Sequence, residues 1–485
     1  MILRFWWVRK RIHRSYVLVF WSVGLIIGVA SLFLIKTDIF YSWVWLLVAL
    51  VMVVVAFVRT TVLMILLAVL SGLVVGAWRS SVSLESTEYV RSLVGKNVEV
   101  SANVFDDPDD GNSGIVLRLN DLRFVNIDAK ANMYVTVSGG RDIRRGDDVL
   151  VEGTVRDGFG SFAGSMFRAQ ILEINRPAPG DVAGRIRDSF GAHVSEMIPD
   201  PEADLGLGYL LGQRRALPES MVDMLQITGL THIVVASGYN LTVLVRFVRK
   251  AFKRVSRFTV LFVAGLLIIS FMAVTGFGPS IMRAGLVSGL SLIAWYFGRR
   301  FHPIKLLLMV AAMTLLLSPS YIVDIGWLLS FAAFVGVMIM APLTTEYFYG
   351  KEKIGTIKQI LIETASAYMC TLPILIFFFS QFSILSIFAN MLVLPTIPFA
   401  MAMVFMAGVS SLILPFITSI FGFLATMILR YNISVMEFFG GISWALREVE
   451  IGIGGLLIFY VIILGMMIYM KKVTKHDFIQ KSVLE

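Results

Sequence analysis

A group of polar residues interrupts an apolar part of the chain near its middle. The segment 205–245 reads LGLGYLLGQRRALPESMVDMLQITGLTHIVVASGYNLTVLV, and its apolar end carries His232, Ser237, Gly238 and Asn240. In a membrane, such side chains and a glycine-broken helix are costly unless they pair with protein groups or face water. The pattern therefore predicts a broken helix that lines a cavity.

The same residues could in principle act on a substrate. Ser237 would be a nucleophile and His232 its base, which would make the chain a membrane-embedded serine hydrolase. The G-x-S-x-G signature of such enzymes is absent, so this is the least favoured alternative. The five histidines and one cysteine form no clustered metal-ligand motif, and no P-loop occurs, so we predict no cofactor.

A second chemical group is a cation in an apolar stretch. Arg283 follows Gly276, Gly278 and Pro279, so a helix start there could direct both its dipole and a guanidinium toward an anion. An arginine at the centre of a membrane helix costs roughly 2.5 to 3.5 kcal/mol on insertion scales. Arg283 must therefore face a hydrated cavity or pair with an acid, for which Asp324 and Glu363 are candidates.

The elements that position these groups are membrane helices. Hydrophobic residues make up 57% of the 485, charged residues 15%, and the mean hydropathy is +0.81. Globular domains are about a quarter charged, so most of this chain must face lipid. Apolar runs predict about twelve spans, near 15–35, 40–58, 60–79, 231–248, 258–275, 280–298, 304–318, 321–341, 357–379, 384–412, 415–437 and 453–470. The stretch 384–412, which Asn390 and two prolines interrupt, could be re-entrant.

Charge sets the predicted orientation. Basic clusters lie at 246–257, 298–305 and 351–358. The predicted spans place all three on the same side of the membrane, and loops rich in Lys and Arg stay in the cytoplasm. Both termini are then cytoplasmic, and the chain emerges on the outer face near residue 80. The resulting fold class is a polytopic α-helical membrane protein with an inserted OB-like β-barrel and interfacial helices.

Residues 80–180 alternate polar and apolar side chains. Five period-two runs in about 100 residues predict a small OB-like barrel, which this topology places on the outer face. The region holds 11 Lys and Arg against 15 Asp and Glu, a net charge of −4, so it is no basic funnel for DNA. For each aromatic residue, core packing is favoured over base stacking. These residues are Tyr89, Phe105, Phe124, Tyr134, Phe159, Phe162 and Phe167.

The pattern divides the chain into four parts. Residues 1–79 form three membrane helices, in which GLVVG at 72–76 has the spacing of close helix packing. The barrel occupies 80–180, amphipathic interfacial helices occupy 181–229, and the membrane core occupies 230–485.

Four stretches in order resemble the ComEC family of competence proteins. They are GLTHIVVASGYN, TGFGPSIMRAG (275–285), SPSYIVDIGWLLSFAAFVGV (318–337) and TLPILIFFFSQFSILSIFANMLVLPTIPFAM (371–401). The resemblance covers roughly residues 200–470 and also implies an OB-like domain before them. One departure is GWLLSF at 326–331, where many relatives have GFQLSF.

The resemblance implies a channel in the bacterial cytoplasmic membrane that passes single-stranded DNA inward during natural transformation. It implies pathway or gating roles for His232, Ser237, Gly238, Asn240, Arg283, Asp324 and Asn390. It also implies an outer mouth where Gln213, Arg214 and Arg215 could meet phosphates, although the two arginines could equally contact lipid headgroups. The main alternative is a transporter of a small anion or lipid with a closed site in the membrane midplane.

The same resemblance implies partners. Besides single-stranded DNA and membrane lipid, we expect a separate DNA receptor, a nuclease, and a cytoplasmic ATPase or helicase, and the chain could form a homo-oligomer. Many relatives continue into a metallo-β-lactamase-like domain, whereas this sequence ends at Glu485 without an H-x-H-x-D-H cluster. We therefore expect the polypeptide to have no enzymatic activity of its own.

Overall fold

The computed structural model describes most of the chain between residues 13 and 476. The residues outside the description are 1–12, 36–39, 60, 112–113, 126, 139–141, 179, 214–216, 235–237, 253, 300–301, 351, 353, 414, 443 and 477–485. The chain forms two compact units. The first contains residues 1–180 and 304–327, and the second contains residues 181–303 and 328–485.

Three helices begin the first unit. They are α1 (Arg14–Ile35), α2 (Val44–Arg59) and α3 (Val62–Ser92). We expected α3 to end near residue 79, but it continues for about three more turns, and the first strand begins only at Asn97. The added turns contain Glu88 and Arg91, three residues apart on one helix face, a spacing that supports a helix. The β domain thus starts later than predicted.

The α1 and α3 helices pack backbone to backbone through glycines. A Cβ atom added at Gly72 would lie 2.0 Å from the Trp21 carbonyl oxygen, and one added at Gly24 would lie 2.0 Å from that of Val69. Gly28 and Gly76 repeat this contact one turn further along each helix. The GLVVG spacing is therefore a close helix contact, in which each helix contributes two glycines.

This contact predicts a large effect from one added methyl group. Gly72→Ala and Gly24→Ala should each force the helices apart, because the obstructing atom is backbone and cannot rotate away. We expect the amount of protein in the membrane, measured by immunoblotting, to fall several-fold. Gly265→Ala is the matched control, since that glycine also lies in an apolar helix but has open space around it. Equal levels of all three variants would contradict the packing argument.

The β domain is a closed barrel. Its long strands are β1 (Asn97–Val104), β3 (Gly114–Arg123), β5 (Met133–Val137), β6 (Asp148–Asp157) and β7 (Gly164–Asn175), with short β2 (Asp109–Gly111) and β4 (Asp128–Ala129) at its margin. The long strands pair in the order β1, β6, β7, β5, β3, and β3 returns to β1. All pairs are antiparallel except β5 with β7. The prediction of a five-stranded barrel is confirmed.

Alternation explains why these segments form strands. In β5, Met133 and Val135 are fully buried, whereas Tyr134 between them is half-buried on the other side. The buried side chains of all five strands fill the interior, together with Val90 from the last turn of α3. The end of α3 is thus part of the barrel core.

The first half of the second unit is built of shorter helices. These are α4 (Val182–Ser195), α5 (Glu202–Leu211), α6 (Glu219–Ile227), α7 (Thr231–Val234), α8 (Gly238–Ala251), α9 (Arg257–Thr275) and α10 (Pro279–Tyr296). The predicted span at 231–248 consists of α7 and α8, with residues 235–237 between them outside the description.

The remaining helices are mostly long and apolar. They are α11 (Pro303–Leu317), which belongs largely to the first unit, α12 (Ile325–Val335), α13 (Ala341–Tyr349), α14 (Thr356–Phe379), α15 (Ser386–Val393), α16 (Ile397–Ile413), α17 (Pro415–Gly440) and α18 (Ile453–Thr474). A 3-10 turn (Pro319–Val323) precedes α12, a π-helical segment (Gly336–Met340) joins α12 to α13, and short strands β8 (Gln381–Ser383) and β9 (Leu446–Glu448) pair. Helices α5, α15, α16 and α17 contribute to one apolar core.

The lengths of these helices bear on the predicted number of spans. Within the described residues, seven helical stretches are long and apolar enough to cross a membrane, and the α15–α16 pair, bent by 48°, could add an eighth. Helices α2 and α11 are apolar but shorter. The bend matches the predicted interruption of 384–412. The protein is therefore a helical membrane protein with a barrel domain, and twelve spans and their orientation stay a prediction.

Candidate functional site

Arg283 is held in the second turn of α10. Gly278 and Pro279 begin this helix, because proline fixes a helical φ and needs no amide partner at the first position. The Arg283 Nε donates a hydrogen bond to the Ser330 hydroxyl of α12, and its guanidinium carbon lies 5.6 Å from the centre of the Phe334 ring. Ser330 and Phe334 are one helical turn apart, so one face of α12 orients the arginine.

Glycine makes room for this arginine. Gly238, the first residue of α8, lies so close that an added Cβ would be 2.8 Å from Arg283 Nη2. The start of α8 therefore faces the guanidinium directly. Both α8 and α10 carry positive dipole ends near this point, which would repel the arginine and attract an anion.

The part of the chain around Arg283 contains no acidic residues. Between Asp223 and Asp324 the chain has no Asp or Glu, although it has ten Lys and Arg. Among the described residues, no carboxylate lies within ion-pair distance of Arg283. The proposed acidic partners have other contacts. Asp324 accepts hydrogen bonds from Ser161 Oγ and the Trp327 amide, and Glu363 accepts one from Gln359.

Arg283 nevertheless retains accessible surface. Its side chain is half-buried. A partly accessible arginine in a membrane protein is costly unless its accessible side meets water or an anion. The site therefore consists of a partly accessible guanidinium and two helix N-termini, and no described carboxylate neutralises it. This arrangement can bind an anion or lower the cost of moving one past it.

His232 is accessible as well. Its ring is exposed, and Nδ1 donates to the Gly229 carbonyl at 2.9 Å. That bond leaves Nε2 directed away from Gly229, because the two ring nitrogens lie on opposite sides. Gly229 has a positive φ of 67°, which lets the chain turn between α6 and α7. His232 is thus an accessible polar group beside the break.

Asn240 and Asn390 are arranged differently. Asn240 is fully buried and donates to the carbonyls of Tyr209 at 2.9 Å and Ile233 at 3.2 Å, so it joins α5 and α7 to α8. Asn390 is also buried and donates to the Ser386 carbonyl at 2.8 Å. Asn240 thus holds three helices together, whereas the Asn390 bond stays within α15. Ser237 lies outside the described residues, so its predicted role is unchanged.

The predicted mouth residues are partly described. Gln213 donates to Asp188 on α4 at 3.3 Å, and Arg187 donates to the same carboxylate at 3.0 Å. Arg214 and Arg215 lie outside the described residues.

An aromatic cluster covers one outer side of the barrel. The Tyr134 ring centre lies 5.1 Å from that of Phe159, 5.7 Å from that of Phe162 and 6.4 Å from that of Phe167. Phe159 is 51% exposed and Phe167 is 45% exposed, whereas the core-packing prediction holds for Tyr89 and Phe124, which pack on the barrel interior. The Arg156 guanidinium lies over the Phe167 ring at 5.5 Å. Exposed rings beside a cation are suited to stacking nucleobases.

The turn beside this cluster carries Asp106, Asp107, Asp109 and Asp110, and one arginine neutralises part of its charge. Arg118, which pairs with Tyr134 across β3 and β5, binds Asp106 at 3.1 Å and Asp109 at 2.5 Å. Burial raises the pKa of Asp106, and the nearby arginine opposes that rise. Among the described residues no group of acidic, histidine or cysteine side chains could hold a metal ion. Arg118 therefore reduces the negative charge of the turn without cancelling it.

Local sequence patterns signal these groups only in part. Alternation alone places Tyr134 outside the barrel, and Ser330 lies within the GWLLSF segment that departs from the relatives. No local pattern reveals that Arg283 meets Ser330 and Gly238, because those residues are 47 and 45 positions away along the chain.

Comparison with known proteins gives two matches. The family described as "Competence protein" matches residues 209–473. ComE operon protein 3 of Bacillus subtilis (strain 168) is 25% identical over 233 residues, which is 46% of this chain and 28% of that protein. The chain thus matches less than a third of the length of this curated relative. No solved structure matches it.

Proposed function

Since the chain belongs to the competence protein family, which matches more than half of its length, we propose that it passes single-stranded DNA through the bacterial cytoplasmic membrane during natural transformation. The observation that carries this proposal is the accessible Arg283 beside two helix N-termini, without a described carboxylate partner. A cation without a counter-ion inside a membrane protein raises the free energy of the folded state unless an anion binds there. A DNA strand carries one such anion at every phosphate.

The barrel supports the same proposal from a separate part of the chain. Its exposed aromatic cluster provides surfaces for bases, and Arg156 provides a charge for a phosphate. The overall negative charge of this domain disfavours non-specific binding of duplex DNA, which is mainly electrostatic. We propose that the barrel receives single strands on the outer face, with both termini in the cytoplasm.

The contact between Ser161 and Asp324 suggests how DNA binding by the barrel is linked to DNA passage through the membrane. Ser161 lies in the loop between β6 and β7 that also carries Phe159 and Phe162, and it donates to Asp324 at 3.0 Å. Asp324 in turn caps the start of α12 through the Trp327 amide. We propose that Asp324 acts here as a positioning residue. A strand bound to the aromatic loop would then act on the beginning of α12.

We further propose that this chain conducts DNA without cutting it or hydrolysing ATP. Strand degradation and the energy for movement would come from separate partners: a receptor, a nuclease, and an ATPase or helicase. The chemistry of Arg283 alone would also suit a transporter of small anions. The experiment must therefore separate transport of a strand from transport of its parts.

The test uses a strain of a naturally competent bacterium that lacks its own copy of this gene. Complementation with the full chain should restore nuclease-protected intracellular signal from fluorescent DNA, and should leave uptake of free phosphate and nucleotides unchanged. Restored nucleotide or phosphate uptake without internal DNA would favour the small-anion transporter. DNA that binds to the cell surface but never becomes protected, despite normal protein level, would contradict the channel.

A further inference from the structure

A basic cavity lies in the second unit where the ends of three helices meet. It has a volume of about 350 Å³ and is formed by the end of α8, the start of α9 and the end of α10. Its charged lining consists of Arg246, Arg249, Lys250 and Arg257. Trp295 of α10 forms an aromatic wall. This cavity is separate from the Arg283 site, since Arg283 is not among its lining residues.

Two of the arginines share the tryptophan. The guanidinium carbon of Arg249 lies 4.9 Å from the Trp295 ring centre, and that of Arg257 lies 5.9 Å from it. Cation–π contacts hold both planar groups against one ring, which limits their freedom and orients them for a ligand in the cavity. Four cations around one cavity repel each other, and none of the lining residues is acidic. A bound anion would offset that repulsion.

The remaining walls are apolar and continue into the membrane. Phe252, Val255 and Val260 complete the lining. Helix α9 is long and apolar enough to span a membrane, and Phe258 and Phe262, one turn apart, are each 64% exposed on it. The exposed stripe begins next to Arg257, so charged and apolar surfaces meet at the cavity. A ligand with an anionic head and an apolar tail would match both.

We propose that this cavity binds the phosphodiester headgroup of an anionic membrane lipid, with the acyl chains along α9. Basic pockets between membrane helices on the cytoplasmic side are typical sites for anionic headgroups. The volume is near the lower end for ligand pockets and suits one headgroup. A DNA strand would instead require a continuous groove with successive stacking surfaces.

The test measures lipid binding to the full chain purified in neutral detergent. Native mass spectrometry would follow titration with dioctanoyl phosphatidylglycerol and, in parallel, dioctanoyl phosphatidylcholine. The double variant Arg249→Gln with Arg257→Gln should weaken phosphatidylglycerol binding about tenfold or more, because each guanidinium–phosphate bond is charge-assisted. Phosphatidylcholine should bind weakly to every variant.

The matched control removes two arginines that follow α8 and α10 but do not line the cavity. Arg254→Gln with Arg299→Gln changes the net charge equally, and both residues are exposed. This control should bind phosphatidylglycerol as the parent does. Equal losses in both double variants would show a diffuse charge effect and overturn the site. If the glutamine pair fails to fold, Arg249→Lys with Arg257→Lys keeps the charge and should still lose affinity, since lysine lacks the planar fork.

Competition identifies the source of the phosphate. Inorganic phosphate and a twelve-nucleotide oligothymidylate would each be added to the lipid-bound parent protein. Retention of phosphatidylglycerol at equal concentrations of either competitor supports a lipid site. Displacement by the oligonucleotide would instead assign the cavity to the DNA strand, and displacement by phosphate would assign it to a free anion; each result would overturn the lipid proposal.

Discussion

Arg283→Ala should abolish DNA internalisation while the protein remains in the membrane at its normal level. No described carboxylate pairs with the arginine and would lose its partner, and the hydrogen-bonded neighbour Ser330 is a neutral hydroxyl. Losing the guanidinium therefore removes the charge that faces the passing anion without leaving a buried opposite charge. Transformation frequency should fall by at least about tenfold for each charge-assisted hydrogen bond that the strand can no longer form.

The lysine variant separates charge from geometry. Arg283→Lys keeps a cation but loses the planar fork that Phe334 and Ser330 orient, so it should retain a reduced fraction of uptake that falls further as ionic strength rises. Arg299→Ala is the control, because Arg299 is exposed and lies beyond the opposite end of α10 from Arg283. Normal uptake in a well-expressed Arg283→Ala strain would refute an anion pathway here. A low level of that variant alone, rescued in Arg283→Lys, would assign the arginine a structural role instead.

The second large effect concerns the barrel. Phe159→Ala with Phe167→Ala should weaken single-stranded DNA binding by the full chain about tenfold or more, since base stacking on one ring contributes roughly 1 to 3 kcal/mol. Both rings are about half exposed, so their loss should leave the barrel folded. Fluorescence anisotropy of a labelled oligothymidylate, with protein in nanodiscs, measures the affinity.

Two further variants make this prediction specific. Leu172→Ala removes a comparably exposed apolar side chain from the same strand, β7, and should leave binding unchanged. Arg156→Ala should weaken binding and reduce its salt dependence by about one phosphate contact. If removing both phenylalanines has no more effect than Leu172→Ala, the aromatic cluster is not a DNA surface.

The sequence predicted those features that repeat over short distances. Period-two alternation located all five barrel strands, because successive side chains of a strand point to opposite faces. In β5, for example, Met133 and Val135 point inward and Tyr134 points outward. The glycine spacing at 72–76 likewise predicted a close helix contact, though not that α1 supplies Gly24 and Gly28 to it. The extension of α3 to Ser92 was missed, because its last turns are polar and hydropathy does not report exposed helix.

Contacts between distant segments were beyond prediction for a physical reason. Phe159 and Phe162 lie in a loop without periodicity, so their position beside Tyr134 depends on closure of the barrel. Arg283 could be identified as unusual from its cost in a membrane. Its actual neighbours depend on how α8, α10 and α12 pack, and an acidic partner was the simplest expectation until the contacts with Ser330 and Gly238 were known.

Helix α3 runs without a break from its contact with α1 to the barrel, so it fixes the position and orientation of the barrel relative to α1. At 1.5 Å per residue, its 31 residues extend about 46 Å, which exceeds the roughly 30 Å hydrocarbon thickness of a membrane. Gly72 and Gly76 near its middle pack against α1, and Val90 in its last turn packs in the barrel core. The helix is thus a rigid connection between α1 and the barrel. Each residue inserted between Gly76 and Val90 would move the barrel about 1.5 Å along the helix axis relative to α1 and rotate its aromatic face by about 100° around that axis.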